Sequence, residues 1–299
     1  MEKKSLILLL IAFVLLFGCK AKPQAEQEMD VEPYPESSYT DNAGEAPADT
    51  TKVSKSTMAE ISSYLYTWSK SDDLPPMVIV IDDFGQNAGE LLQDFADLPS
   101  EIAFAILPDL PQTEVTAKLA KKSGHEVLIH IPMQAEGNAN PGKRYIKTAM
   151  NASDISELIA DFHRQIPNAI AANNHMGSAV TADNASMYAV MDKLNGEGLF
   201  FLDSATTAKS AVPAVASKLG LKTLKRDVFL DVPDITDATI ISKIQSLSKY
   251  KGRNEPIIVI THCHNRAKLV GLQKFITQVT DMGIKLIPLS KAYRSAPPA

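Results

Sequence analysis

A parallel β/α barrel is the fold class this sequence predicts, and three observations predict it. Strand-like apolar runs alternate with amphipathic helical segments from Met77 to about Tyr293. Such alternation implies parallel strands joined by right-handed crossovers. Seven or eight of these units fit into roughly 210 residues, which favours a compact barrel over an open doubly wound sheet. Five of the runs also end in acid–base or metal-type residues: MVIVIDDFG at 77–85, EVLIHIPMQ at 126–134, AIAANNHMG at 169–177, LFFLD at 199–203 and IIVITHCH at 257–264. Side chains at the C-terminal ends of parallel strands converge on one mouth in such a fold.

The elements follow in order. A strand at 77–82 leads to a helix at 88–97, and a strand at 102–107 leads to a helix at 112–123. The third strand, 126–131, is followed by a long loop from Pro132 to about Ala152, expected to overhang the mouth as a substrate wall. A helix at 153–166 starts from Asn151 or Ser153, ahead of Glu157. Next come a strand at 169–173, a helix at 184–196 begun by Asp183, a strand at 199–203 and a helix at 210–220. A strand at 222–226, a helix at 235–250 begun by Asp234, a strand at 257–262, a helix at 267–282 and a strand at 284–287 complete the domain. Gly124, Gly196, Gly198, Gly220 and Gly283 sit where helices should stop. Gly85 and Gly89 do not form the dinucleotide-binding pattern after the first strand, which disfavours a Rossmann cofactor.

The chain has 299 residues, is 45% hydrophobic and 22% charged, and carries a formal net charge of −5. It can build an ordinary core, and the absence of a basic excess argues against nucleic acid as a partner. The ends are different in character. Residues 1–18 read as a signal segment, with Lys3 and Lys4 ahead of an apolar stretch from Leu6 to Phe17. That stretch is shorter than the ~20 residues a membrane span needs. Leu16-Phe17-Gly18-Cys19 resembles a bacterial lipobox, which implies lipidation of Cys19 and export to a membrane-anchored position. Lys20 after the cysteine implies the outer membrane, facing the periplasm, where the host has one. Residues 19–76 are rich in Glu, Asp, Ser, Thr, Ala and Pro and read as a flexible acidic tether. Within it, Met58 to Trp68 is expected to form a short helix docking on the domain. Residues 294–299 read as a disordered tail. Cys263 is the domain's sole cysteine, so no disulfide forms inside it.

Asp82 and Asp83 end the first strand. Adjacent strand positions face opposite ways, so both reach one site only if the strand ends between them. Two close buried carboxylates resist joint ionisation, and a cation relieves that penalty. One would then be a metal ligand and the other a general base. His130, His175, His262 and His264 lie at other strand ends, and imidazole with carboxylate is a common zinc donor set. Gln134, Asn174, Asp203, Asp231 and His264 are expected around them, touching substrate or supporting the ligands. Asp203 and Arg226 either pair to orient a catalytic carboxylate or hold substrate, or belong to an ion-pair network that fixes loops. Cys263 is a thiolate ligand, a nucleophile or a packing residue, since alternation points it away from its flanking histidines. His125 and His163 read as structural or solvent-facing.

The stretch from Met77 to about Pro288 resembles the divergent polysaccharide deacetylase family. IDDFG at 81–85, FAILP at 104–108, HEVLIHIPM at 125–133, NNHMGS at 173–178, FFLDSAT at 200–206, RDVFLD at 226–231 and ITHCHNR at 260–266 carry the resemblance. It implies a distorted (β/α)7 barrel and a hydrolase that uses a divalent cation, Zn first, to deacetylate a carbohydrate. It implies Asp82 as base, Asp83 and His130 as ligands, and His262 as the acid, with Arg226 steadying Asp82. The wider superfamily has a second histidine where Gln134 stands, and His175 is the substitute this reading names. Cys263 replaces the proline usual between the two final histidines. The expected partners are an acetylated glycan or peptidoglycan-like substrate and a membrane, through the lipid. The competing expectations are a non-catalytic envelope lipoprotein that binds a glycan or a protein in the same pocket, and a thiol hydrolase using Cys263.

Overall fold

The computed structural model describes residues 74–295. The expected signal segment, Cys19, the tether up to residue 73 with its Met58–Trp68 patch, and residues 296–299 of the tail lie outside them.

Eight strands form one sheet: β1 (Met77–Phe84), β2 (Ala103–Ile106), β3 (Val127–Met133), β4 (Ala169–Met176), β5 (Phe200–Asp203), β6 (Thr223–Lys225), β7 (Val228–Phe229) and β8 (Ile257–His262). Their spatial order is β6-β5-β4-β3-β2-β1-β8-β7, and every neighbouring pair is parallel. The two edge strands, β6 and β7, are separated in sequence by Arg226 and Asp227 alone. A link that short spans roughly 11 Å at most, so the sheet must curl until its edges face each other. The turn itself changes partners. Arg226 N–H donates to Asp203 O at 2.9 Å on the β5 side, and Asp227 N–H donates to Ile258 O at 2.8 Å on the β8 side. The expected parallel barrel is therefore present as a curled sheet, joined across its gap by the chain.

Burial on both faces explains the unbroken apolar runs. Met77, Ile79 and Ile81 of β1 pack toward the helices with Phe95, Phe104, Phe162 and Phe275. Val78 and Val80 face the interior with Ala103, Ala105, Leu128, Ala171, Leu202, Ile258 and Ile260. Each large side chain so buried contributes roughly 1.5–3 kcal/mol. Three alanines on the inner face leave room for the sheet to curl tightly.

The helices are α1 (Gly89–Ala96), α2 (Thr113–Lys122), α3 (Ala152–Gln165), α4 (Asn184–Gly196), α5 (Val212–Leu219), α6 (Asp237–Ser246), α7 (Arg266–Asp281) and α8 (Leu289–Ser295). Asn151 caps α3 by accepting from Asp154 N, and Asp183 caps α4 by accepting from Ser186 N. The cap of α6 is Thr236, two residues beyond the expected Asp234, whose carboxylate instead holds the Thr236 N–H and hydroxyl. The single helix expected at 235–250 is α6 followed by a 3₁₀ turn, Leu247–Tyr250. The expected strand at 284–287 reduces to one bridge, between Met77 and Leu286. After it, α8 folds under the sheet: Leu289, Ala292 and Tyr293 join the inner cluster. Its contacts are at strand beginnings, with Tyr293 stacked on Phe200 at 4.2 Å and Ser290 N–H donating to Glu126. One end of the curled sheet is thus plugged, and the chemistry-bearing ends open at the other.

Candidate metal centre

The residues at the open end come from β1, β3, β4 and β8. On β1 the even positions face the interior, so Asp82 follows Val78 and Val80 inward. Asp83 should then face the helices. It does not, because the strand bulges: register slips between Ile81 and Phe84, and Asp83 takes φ +69°. A left-handed backbone is unfavourable for a residue with a Cβ, and Asp is among the few types that tolerate it. The bulge turns both carboxylates to one side without ending the strand, where the sequence reading required a strand end.

Four histidines converge on Asp83. His130 Nε2 lies 3.1 Å and His175 Nδ1 2.9 Å from its Oδ1. His264 Nε2 lies 2.7 Å from its Oδ2, and His262 Nε2 lies 3.8 Å from the same atom. The His130 and His175 rings are 5.0 Å apart and near-perpendicular. Although two imidazole nitrogens crowd Oδ1, that buried oxygen makes no hydrogen bond of proper geometry. One ligand atom from each of Asp83, His130 and His175 lies within 4.8 Å of the others. An orphaned carboxylate oxygen facing two imidazoles fits a shared divalent cation, and the N,N,O donor set suits Zn.

Asn173 organises the rest. Its Nδ2 donates to Asp82 Oδ1 at 2.9 Å, so its Oδ1 faces His130 and accepts from His130 Nδ1 at 2.8 Å. His130 must therefore carry a proton on Nδ1, which leaves Nε2 as the atom that could coordinate a cation. Asn173 was not singled out by the sequence reading, which named Asn174. Counting back two positions from His175 along the strand identifies Asn173 as the residue on the same face. Asn174 points the other way and fastens loops: its Oδ1 accepts from Ser204 N–H, and its Nδ2 donates to Met176 O.

His262 sits beside Asp82, its partner in the β1–β8 register. Asp231 accepts from His262 Nδ1 at 3.0 Å and from the His262 N–H at 3.0 Å, and pairs with Lys268 at 2.8 Å. Burial works against ionised Asp231, but His262 and Lys268 hold its carboxyl far below the usual range. Burial alone would lower His262; Asp231, Asp83 and Asp82 raise it instead. His130 is likewise pulled down by burial and lifted to about 9 by Asp82 and Asp83. Asp82 is raised, first by burial and further by Asp83, against His130, His262 and Asn173. Burial opposes ionisation of Asp83 too, yet His175, His130 and His264 hold it well below the carboxylate range.

Several expected site residues lie elsewhere. Gln134 is no ligand: its side chain accepts from Thr148 N–H at 3.2 Å and its backbone pairs with Ile146, so it anchors the long loop. Asp203 follows inward-facing Leu202 and turns outward, accepting from Ala205 N–H and the Ser210 hydroxyl. It makes no ion pair with Arg226. Arg226 donates to the Ser204 and Ala205 carbonyls, at 2.6 and 2.9 Å, and acts on Asp82 through charge without a direct hydrogen bond, with Asp203 and Asp227 also near. Cys263 packs in the helix-side core, and burial pushes its thiol well up, the opposite of a nucleophile's need. His125 is buried against Phe104 and bonded to two carbonyls, and His163 pairs with Glu197 at the surface.

A model of divergent polysaccharide deacetylases matches residues 79–293. The chain is 37% identical over 188 residues to the uncharacterized protein YibQ of Escherichia coli, across 63% of this chain and 58% of that one. It is 38% identical over 170 residues to an uncharacterized protein of Haemophilus influenzae, across 57% of this chain and 60% of that one. The match thus spans less than two thirds of each relative's length. An uncharacterized protein of Agrobacterium tumefaciens of known structure superposes with a TM-score of 0.65 at 22% identity, covering 78% of this chain and 94% of that one. Likeness at that identity concerns the fold alone.

Proposed function

The chain belongs to the divergent polysaccharide deacetylase family, and from that premise we propose that it is a metal-dependent hydrolase that removes acetyl groups from a cell-envelope carbohydrate. The observation that carries this reading is the convergence of His130 and His175 on an Asp83 oxygen that no hydrogen bond satisfies. These three residues would hold the cation, with Zn the metal their donor set favours. A divalent cation there polarises an acyl carbonyl and acidifies water enough for attack at neutral pH.

The chain's own groups handle the protons. Asp82 Oδ1 is tied to Asn173, so Oδ2, 3.7 Å from His130 Nε2, faces the centre and accepts the proton that water gives up. Asp231 holds His262 through Nδ1, so Nε2 is the atom that delivers a proton to the departing nitrogen. Water and an N-acetyl amide are consumed; acetate and a free amine leave. The signal-like start and Cys19 support an exported, lipid-anchored protein, within reach of envelope glycans.

Purified full-chain protein loaded with Zn tests the reading against acetylated oligosaccharides and peptidoglycan fragments. Acetate release is expected, falling at least ~100-fold in Asp82→Asn while bound metal is retained. A protein that takes up no metal under any loading condition would favour the glycan- or protein-binding reading instead.

A further inference from the structure

Arg226 forms no close ion pair among the described residues, although Asp82, Asp203 and Asp227 lie near enough to counter part of the cost of its burial. Its Nε and Nη2 donate to the Ser204 and Ala205 carbonyls, and its plane lies 4.2 Å over the Phe229 ring. Those partners fix its direction but carry no net charge. A guanidinium offers five N–H donors, and Nη1 makes no hydrogen bond among the described residues. Asp227, next in sequence, is taken by Arg253 in a two-bond pair. Lys243 lies near enough to Arg226 that repulsion adds to burial in lowering its pKa, against the pull of Asp231 and Asp234, and it forms no ion pair among the described residues. Phe229 continues this ledge toward the metal centre, its ring 5.1 Å from that of His262. A half-buried guanidinium nitrogen without an acceptor is unfavourable, and an arriving anionic oxygen would satisfy it.

We propose that Arg226, Lys243 and Phe229 form a subsite, one sugar ring from His262, for an anionic substituent on the glycan. Phe229 supplies an apolar face for the ring. Arg226 supplies a fork that fits a carboxylate or a phosphate. The inference rests on the hydrolase reading for its substrate class and narrows that class to acidic glycans.

Binding, measured apart from turnover, tests it. Full-chain Zn-loaded protein is titrated calorimetrically with three N-acetylated oligosaccharides of equal length: neutral, carboxylate-bearing and phosphate-bearing. At least one acidic ligand is expected to bind about tenfold or more tighter than the neutral one, and the tighter of the two identifies the anion. Raised salt should narrow the gap. Arg226→Gln should bring the ratio close to one, and Lys243→Gln, which keeps the length of α6 and its buried Ile244, should reduce it. Equal binding of all three, or an undiminished preference in both variants, overturns the subsite. Equal binding of all three with acetate released from each would sink the subsite and leave the hydrolase standing. Charge-selective binding with no release from any ligand would do the reverse.

Discussion

Asn173 joins the two halves of the centre through one amide, donating to Asp82 and accepting from His130. Removing it frees the proposed base and lets His130 turn or change tautomer. Asn173→Ala is expected to lower both Zn affinity and activity by 10–100-fold, the usual effect of losing a partner behind a metal-bound histidine. His130 makes a second prediction. Its metal-free form holds a proton up to about pH 9, whereas a ligand must be neutral. Zn binding at pH 7.5 should release close to one proton, read by calorimetry in buffers of different ionisation enthalpy, and affinity should fall as pH falls. Asp231 makes a third. Its carboxyl is depressed in the folded state, so it adds stability in full above the unfolded value of about 3.9, and this is lost as pH drops toward the folded value. Asp231→Asn should shrink the difference in urea stability between pH 7 and acid. At this scale the histidines and both aspartates were legible because each ends an apolar run. Asn173 and the outward turn of Asp203 were not, since reading them requires knowing which parity of each strand faces inward.

Among the elements, β1 shows why position alone is insufficient. Alternation assigns Asp82 and Asp83 to opposite faces, and the bulge at Asp83 overrides it. No pattern of apolar residues announces a bulge; the signal is an adjacent carboxylate pair with work at one site. The two-residue β7 and the short α8 were missed for a related reason, being too brief to show a period. Helix α7 was found near its true limits, and its packing gives a test. A Cβ at Gly271 would stand 2.2 Å from Ile235 Cγ1. Gly271→Ala should therefore destabilise the protein by about 1–3 kcal/mol despite alanine's better helix propensity. A thermal melt of the variant shows the sign.

For the molecule as a whole, the plugged end and the open end divide stability from chemistry. α8 seals the strand beginnings with apolar contacts, while the charged groups gather where β1, β3, β4 and β8 end. That division was readable from the strand–helix alternation, which also located the mouth. The curl toward a gap bridged by Arg226 and Asp227 was not, because it depends on which strands become edges. The proposed function turns on one cation that residues far apart in sequence would hold together. Anomalous diffraction at the zinc edge, on crystals of Zn-loaded protein, tests this most directly. The account predicts one strong peak about 2.0–2.2 Å from Asp83, His130 Nε2 and His175 Nδ1. An absent peak, or one bound by other side chains, would contradict it.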